Sequence, residues 1–537
     1  MRYYGQRTLV RNYGVAILTM NPSRRIRSAG PEIVIALVGA AGTDLDGLTT
    51  QITQKLKEFD YQSEPIRLAD LVRNVGDPDL LDRNDLPFAK YIEQYQMAGD
   101  RFREELRRGD ALALAAILEI RKHRTNETGD VTKPCERKAF IVRSLKNPRE
   151  LATLRRVYGH RLTVISAYLP RSTRSDAIKR KTRRYSGDLD QLVRTVIEDD
   201  ERRGDLEYGQ NVRNTYPEAD FFLDTRKSAH VGDALERFLD IIFGYPYSAP
   251  TIEEVAMFHA QAAALRSTEL GRQVGAVVVT ETGAVTAIGT NEVPKFGGGL
   301  YTTTVPASGS DGRDFKFLEE DQSLRKRTEG FDEILAALHK AKLVNESVEV
   351  ETFMAALGRT QFKAIIEYGR AVHAEMAALT DAAMRGVAVA GSTLFVTTFP
   401  CHLCMRHIIA AGINRVVYVH PYPKSLAGDL HRDAITIDPE DIDAIAQENK
   451  KLAVMPFVGV APRVYIPYFT APSRRKNPDG TILSFPRESA VPKLIQQDEQ
   501  ATYLVAEGSA TQVLRKGASG EVHTRLKAYY PELSNGE

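Results

Sequence analysis

Strands and helices alternate along the first half of the chain. An apolar, β-branched run at 33–38 is followed by a glycine turn at 39–42 and by helical spacing over 45–59. Two later apolar runs enclose a second helical segment, at 138–143, 162–169 and 148–158. Because buried strands that alternate with helices are typical of a parallel sheet, the pattern predicts an α/β domain over residues 31–245.

A Pro-, Gly- and Tyr-rich stretch at 243–250 indicates a domain boundary. After an Ala-rich helical segment, two apolar runs surround a Thr-Gly turn and predict a β-hairpin. Strands then alternate with a helix that starts at Cys401 and ends at Gly412. The hairpin runs and the later strands lie at 274–280, 284–289, 393–398 and 415–420. We therefore expect a second α/β domain over residues 246–475.

Periodicity is weak in three places. Residues 1–30 are rich in Arg, Tyr and Ser, and we interpret them as a basic N-terminal arm. Charged, helix-prone sequence at 314–341 is expected to be an insertion in the second domain. The pattern fades beyond Ser473, so we expect residues 476–537 to form a C-terminal tail.

The composition is that of an ordinary globular protein. Of the 537 residues, 43% are apolar, and 72 Lys and Arg residues nearly balance 70 Asp and Glu residues. That balance argues against a chain coated with nucleic acid, although it leaves room for a local basic face. No apolar run approaches the roughly 18–20 residues of a membrane helix. We expect a soluble, cytoplasmic protein that does not enter a membrane.

The strongest chemical signal lies in two short motifs. His373-Ala-Glu375 is followed by Pro400-Cys-His-Leu-Cys404, which matches the H-x-E…P-C-x-x-C signature of zinc deaminases. His373, Cys401 and Cys404 would hold Zn²⁺ and leave its fourth position open for a water. Zinc makes such a water acidic near neutral pH, and Glu375 would shuttle its protons.

Two other interpretations of the same residues give a role to fewer of them. A structural zinc knuckle needs four protein ligands and gives no role to Glu375, and a redox Cys pair gives none to His373. Only three cysteines are present, so a disulfide framework is excluded. Two further histidines, His402 and His407, are expected on the surface or in packing, because three ligands already complete a catalytic zinc site.

Residues 252–469 resemble the cytidine and deoxycytidylate deaminase superfamily. The resemblance extends beyond the zinc motifs to Val274-Gly-Ala-Val-Val-Val279 and to Gly289-Thr-Asn-Glu-Val-Pro294. It implies that Asn291 hydrogen-bonds the sugar or the base of the substrate. An ordinary turn role for Asn291 is the alternative, since Asn between Gly and Pro is favourable turn chemistry.

A glycine turn in the first domain stands where a phosphate-binding loop belongs. The segment Gly39-Ala-Ala-Gly-Thr-Asp-Leu-Asp-Gly47 breaks the G-x-x-x-x-G-K-[ST] pattern, because Leu48 replaces the lysine. Without that lysine, phosphoryl transfer is not expected, but nucleotide binding at Gly39, Gly42, Thr43 and Asp44 is. A purely structural turn is the alternative. Seven basic residues between Arg171 and Arg184 could form a lid over phosphates or a solvated face.

The whole arrangement resembles one narrower group, the bacterial anti-phage dCTP deaminases. The shared segments include the glycine turn, 140–149, 273–277, 291–300 and 422–425. The resemblance implies an N-terminal, degenerate P-loop nucleotide-kinase-like parallel sheet domain and a three-layer α/β/α cytidine-deaminase-fold domain. It also implies conversion of dCTP and dCMP to the uracil nucleotides, which drains the dCTP pool during phage infection. A small regulatory RNA and a homo-oligomer are the partners that it suggests.

Three functions remain to be distinguished. An enzyme acting on free deoxycytidine nucleotides needs a closed pocket with a few cations for phosphates, and Lys295, Arg272 and Lys424 are candidates. A polynucleotide cytosine deaminase would need a basic groove with stacking aromatic residues, which the sequence near the motifs does not show. A nucleotide-binding regulatory protein with a vestigial zinc site is disfavoured, because every expected catalytic residue is present.

Overall fold

The computed structural model describes residues 30–203, 206–303, 311–345, 347–357, 368–439, 451–471, 474–495, 502–518, 520–530 and 533. The strands are β1 Ile33–Gly39, β2 Gln62–Arg67, β3 Lys138–Arg143, β4 Leu162–Tyr168, β5 Phe221–Asp224, β6 Gly275–Val279, β7 Val285–Thr290, β8 Thr393–Thr398, β9 Arg415–His420, β10 Ile435–Ile437, β11 Leu452–Pro456 and β12 Gly459–Val460.

The helices of the first half are α1 Leu45–Leu56, α2 Leu68–Leu71, α3 Phe88–Glu105, α4 Ala111–Thr128, α5 Pro148–Tyr158, α6 Arg171–Lys181, α7 Leu189–Glu201, α8 Val212–Thr215 and α9 Ser228–Ile242. Those of the second half are α10 Ile252–Ala264, α11 Asp314–Phe317, α12 Gln322–Lys340, α13 Val350–Ala356, α14 Ala374–Met384, α15 His402–Ala410, α16 Ala427–Leu430, α17 Tyr465–Phe469, α18 Thr502–Gly517 and α19 Gly520–Tyr529.

The first sheet has the strand order β12-β5-β4-β1-β3-β2. The strands β2, β3, β1, β4 and β5 are parallel, and β12 pairs antiparallel with β5. Every residue of β1 and β4 is buried, as their continuous apolar sequence predicts. The connection after β1 runs to β2 on one side of the sheet, whereas the connection after the neighbouring β4 runs to β5 on the other side. The turn after Gly39 therefore lies at a topological switch point, where α/β sheets bind ligands.

The second sheet has the order β10-β11-β9-β8-β6-β7. The strands β8 to β11 are parallel, whereas β6 is antiparallel to both β7 and β8. One face packs against α14 and α15, and the opposite face packs against α10. The mixed α/β class is thereby confirmed, with two parallel-rich sheets, and the predicted hairpin is present. The kinase-like relationship of the first sheet stays a prediction.

Two glycines allow the helices to approach this hairpin closely. A Cβ on Gly275 would overlap the backbone of α10 at Ala260, and one on Gly289 would overlap the backbone of α14 at Ala374. Only a residue without a side chain fits at either position. Gly289 therefore sets how deeply the start of α14 sits against the sheet.

The two sheets are not independent units. The strand β12, which follows the second sheet in the chain, adds an edge to the first sheet. Beside it, the Phe222 and Phe457 rings meet edge to face at 5.8 Å, and Arg463 forms an ion pair with the buried Asp220. The expected boundaries at residues 245 and 475 stay predictions, but residues beyond 456 contribute directly to the first sheet.

The C-terminal region differs from the tail that the sequence suggests. Helices α18 and α19 pack on the first half of the chain and bury Tyr503, Leu514 and Leu526. Glu507 and Arg124, both fully buried, form an ion pair with a 2.6 Å separation. In α18 the buried positions recur every three or four residues, as on one face of a helix. Glu507 is one of these positions, and because it is charged the sequence does not show a continuous apolar face.

Three other predictions concern the N-terminal arm, the insertion in the second domain and the absence of a membrane helix. The predicted N-terminal arm, residues 1–30, lies outside the described residues except for Gly30. The expected insertion contains α11 and α12. Within the described part of the chain, no helix combines the length and the hydropathy needed to cross a membrane.

Candidate metal centre

Three side chains from two helix starts converge on one point. The Nδ1 atom of His373 lies 3.3 Å from Cys401 Sγ and 3.4 Å from Cys404 Sγ. In a tetrahedral zinc site, a nitrogen ligand and a sulfur ligand lie about 3.6 Å apart. The three ligand atoms lie within 4.8 Å of one another. The group fits Zn²⁺ with three protein ligands, which leaves a position for a water or substrate.

Local structure positions each ligand. Strand β8 ends at Thr398 and delivers Cys401 to the N-cap of α15, where its sulfur accepts a hydrogen bond from the Cys404 backbone N–H at 3.4 Å. His373 is the N-cap of α14. Both helix N-termini therefore point toward the ligands, and their partial positive charge favours thiolates.

Hydrogen bonds within the ligand group favour the thiolate of Cys401 over that of Cys404. Hydrogen bonds from the Cys404 thiol and from His373 lower the pKa of the Cys401 thiol to about 4. The hydrogen bond to Cys401 raises the pKa of His373 to about 9. The neighbouring Cys401 sulfur raises the pKa of the Cys404 thiol. The lowered pKa of Cys401 favours its thiolate, which is the form of cysteine that binds a metal ion.

Glu375 places a buried carboxyl group beside the metal-binding group. It lies in the first turn of α14, two residues after His373, and is buried. Burial, followed by the charge of Cys401, raises the pKa of its carboxyl group to about 7. A carboxyl group with a pKa near neutrality can both accept and donate protons in the physiological range.

A pocket of about 230 Å³ opens onto the ligands and Glu375. Asn291 and Arg272 line it, whereas Lys295 and Lys424 are exposed and are not among its lining residues. The Asn291 carboxamide donates to the Arg272 carbonyl at 2.8 Å and accepts from the Val274 N–H at 2.7 Å. Asn291 therefore braces the pocket wall and retains one donor and one acceptor for a ligand.

Sequence reasoning assigned no role to three further lining residues, Thr398, Phe399 and Tyr422. The Thr398 hydroxyl is buried and has no hydrogen-bond partner in the described structure. Thr398 ends β8 and Tyr422 follows β9, so their positions at the carboxyl ends of parallel strands were the available signal. His402 and His407 are not members of the metal-binding group found among the described residues.

The predicted nucleotide-binding residues Gly39, Gly42, Thr43 and Asp44 meet at a separate cleft in the first half of the chain. Gly42 has a positive φ of 96°, which glycine adopts without strain. Within the basic segment at 171–184, Lys181 also lines this cleft, but Arg174 is buried and pairs with Glu201. The roles of these residues stay predictions.

Part of the second half of the chain is similar to known proteins. Residues 250–420 match the family described as the cytidine and deoxycytidylate deaminase zinc-binding region. The ComE operon protein 2 of Bacillus subtilis (strain 168) is 32% identical over 94 residues, which are 17% of this chain and 48% of that protein. The deoxycytidylate deaminase of Enterobacteria phage T2 is 38% identical over 65 residues, 12% of this chain and 35% of that protein. The chain thus spans about half or less of these relatives.

Among solved structures, the dCMP deaminase of cyanophage S-TIM5 matches 38% of this chain and 98% of its own, at 20% identity and a TM-score of 0.20. The same enzyme in complex with dCMP and dUMP gives a TM-score of 0.21. The sequence matches coincide with the residues that carry the His373, Cys401 and Cys404 group. Residues 250–420 of this chain, which hold this group, are therefore similar to the cytidine and deoxycytidylate deaminase zinc-binding region.

Proposed function

We propose that the protein is a zinc-dependent hydrolytic deaminase of free deoxycytidine nucleotides, converting dCTP and dCMP to dUTP and dUMP with release of ammonia. One observation carries the proposal: a buried carboxyl group, Glu375, shares a pocket with a three-ligand group that fits Zn²⁺. Deamination of cytosine by water requires this pairing of an activated water with a proton shuttle.

The metal ligands and Glu375 have different roles in the proposed reaction. His373, Cys401 and Cys404 would hold Zn²⁺, which would make a bound water acidic enough to react near neutral pH. Glu375 accepts a proton from the attacking water, passes it to the ring nitrogen of the base and delivers a second to the departing amine. Its pKa of about 7 suits both directions of transfer.

The pocket favours a free nucleotide over a strand. Among its described lining residues, Arg272 is the single permanently cationic side chain, and it is exposed. A polynucleotide deaminase needs a track of cations and stacking rings that follows the strand. One guanidinium with Asn291 beside it suits the phosphate and sugar of a nucleotide. Deoxycytidylate as the substrate is also supported by the names of two relatives.

The resemblance of the whole chain to anti-phage dCTP deaminases extends the proposal. In it, the enzyme protects a bacterial cell by depleting dCTP during infection, and the first domain binds nucleotide at Gly39, Gly42, Thr43 and Asp44. The lack of a lysine at Leu48 supports binding without phosphoryl transfer. The homo-oligomer, the cytoplasmic location and the small regulatory RNA stay predictions of that resemblance.

Ammonia release tests the proposal. Zinc-loaded protein is offered dCTP, dCMP, CTP, cytidine and a cytosine-containing single strand, with the Glu375→Ala variant as the blank. Turnover of dCTP or dCMP alone is the expected result. Turnover of the strand alone would replace the proposal with polynucleotide editing, and turnover that persists in the Glu375→Ala variant would remove Glu375 from the mechanism.

A further inference from the structure

The cleft beside the glycine turn contains buried polar groups without partners. Gln210 is 3% exposed, and neither atom of its carboxamide has a hydrogen-bond partner among the described residues. Gln96 is 7% exposed, and its Oε1 atom is likewise unpaired. Buried polar groups without partners are unfavourable, because they lose their hydrogen bonds to water and gain none in the protein. Both side chains line the cleft, so a ligand there could satisfy them.

The hydrogen-bonding pattern specifies the ligand's edge. Gln96 Nε2 donates to the Val196 carbonyl at 3.0 Å, which fixes Oε1 as the free acceptor. Gln210 offers both a donor and an acceptor. A planar edge with an amino group beside a ring nitrogen matches this set, as carboxamides pair with adenine. Cytosine presents the same pair of groups, whereas thymine and uracil present a single N–H between two carbonyl acceptors.

The walls of the cleft suit a flat base attached to an anion. The rings of Tyr91 and Tyr95 lie side by side along one wall, with centroids 4.6 Å apart. Six cationic side chains line the cleft against three acidic ones. Arg83 and Lys181 lie over the Phe88 ring, at 4.8 and 5.6 Å from its centroid, and both are exposed. An anionic group would meet these two cations at the mouth of the cleft.

The glycine turn already binds a carboxylate group of the protein itself. The Ala41 N–H donates to the buried Asp200 carboxylate at 2.7 Å, and Lys146 forms an ion pair with the same carboxylate at 2.7 Å. The Asp44 side chain caps α1 by accepting from the Gly47 N–H at 3.1 Å. Protein carboxylates therefore occupy positions that phosphate oxygens take in a phosphate-binding loop.

From these observations we propose that the cleft lined by Gln96, Gln210, Tyr91 and Tyr95 binds a nucleotide with an amino-bearing base. The two carboxamides hold the base edge, and the side chains of Arg83 and Lys181, instead of the turn amides, bind the phosphates. This inference rests on the proposed nucleotide binding by the first domain, and it moves the phosphate contacts from the glycine turn to Arg83 and Lys181. It assigns that domain a site of its own, with a volume of about 200 Å³ that is close to the 230 Å³ of the zinc pocket.

Titration calorimetry of the full chain tests the site. The Glu375→Gln background prevents turnover, and the ligands are dCTP, dATP, dTTP and tripolyphosphate. We expect dCTP or dATP to bind, and Gln96→Leu or Gln210→Leu to weaken that binding about tenfold or more. The matched control is Gln191→Leu, at an exposed glutamine of α7 that does not line the cleft. It should leave the affinity unchanged.

Other outcomes overturn the inference. The inference is wrong if no nucleotide binding depends on either glutamine. It is also wrong if dTTP or tripolyphosphate binds with the same affinity as dCTP or dATP. If the leucine variants lose zinc or unfold, the exposed Arg83→Ala and Lys181→Ala variants decide instead. They should weaken binding several-fold and flatten its salt dependence, and unchanged affinity would refute the site. Wild-type ammonia release is measured separately, so failure of the deaminase proposal and failure of this site give different results.

Discussion

At the scale of single residues, a change at Glu375 tests whether proton transfer and metal binding depend on different side chains. The Glu375 carboxyl group is buried beside the ligand group but is not one of the three members that hold the metal. Glu375→Gln is expected to reduce ammonia release about 10²–10⁴-fold, the usual contribution of general acid–base catalysis, with about one zinc per chain retained. Kinetics and metal analysis on one preparation check both parts. Glu281→Gln, at an exposed turn, should change neither, and a zinc-free Glu375→Gln protein would contradict the assignment.

The cysteines differ in what their loss should do. Cys401→Ser removes a metal ligand and the sulfur that caps α15, so zinc content should fall well below one per chain. Cys135→Ser alters a cysteine that is also buried but lies in the first half of the chain, and it should retain zinc. Metal analysis after dialysis distinguishes the two variants. A Cys401→Ser protein with full zinc would show that the ligand assignment is wrong.

At the scale of elements, the position of α14 depends on one glycine. Gly289→Ala places a Cβ against the backbone of α14 at Ala374, between His373 and Glu375, so the helix must move outward. We expect weaker zinc binding and a loss of activity even though no functional side chain changes. Gly330→Ala in α12 meets no atom within 4 Å and should be neutral or stabilising by up to about 1 kcal/mol. Equal zinc affinity in both variants would refute the argument.

Some strands could be predicted from the sequence, and others could not. Strands at 138–143, 393–398 and 415–420 were predicted with the bounds that the structure has, because each has an apolar centre, at 139–142, 394–396 and 416–419, with polar residues at its ends. Strand β2 was missed, since its sequence Gln-Ser-Glu-Pro-Ile-Arg has one buried residue, Ile66, and lies at the edge of the sheet. Periodicity detects burial on a face, and an edge strand has little.

The same distinction applies to the sites. The metal group was predictable because two short motifs hold all its members and helix geometry fixes their spacing. The cleft with Gln96 and Gln210 was not, because these glutamines are far apart in the chain and each is an ordinary polar residue in its own segment. Only the folded sheet brings them to one wall. Asn291 shows the intermediate case, with its place predicted and its two backbone hydrogen bonds unforeseen.

At the scale of the whole molecule, a buried ion pair fastens the C-terminal helices to the first half. Arg124 lies between Glu32 and Glu507, at 2.9 and 2.6 Å, with no exposure to solvent. Glu507→Ala leaves part of that guanidinium charge unpaired and should lower the free energy of unfolding by about 3–5 kcal/mol. Denaturant unfolding measures the change. Glu521→Ala, which loses only an exposed pair with Arg525, should cost less than about 1 kcal/mol. A loss that small at Glu507 would contradict this account.

The strand β12 and the helices α18 and α19 give the molecule a particular order of assembly on the ribosome. The first sheet has five of its strands once residue 224 has been synthesised, but its outer strand and the helices that cover α4 and α5 come after the zinc-binding domain. The zinc ligands can therefore meet while the first half still exposes apolar surface. A translation pause after the zinc-binding domain would leave a nascent chain whose metal ligands can meet while the first sheet still lacks its outer strand. Chaperones are expected to engage that intermediate at the surface that α18 later covers.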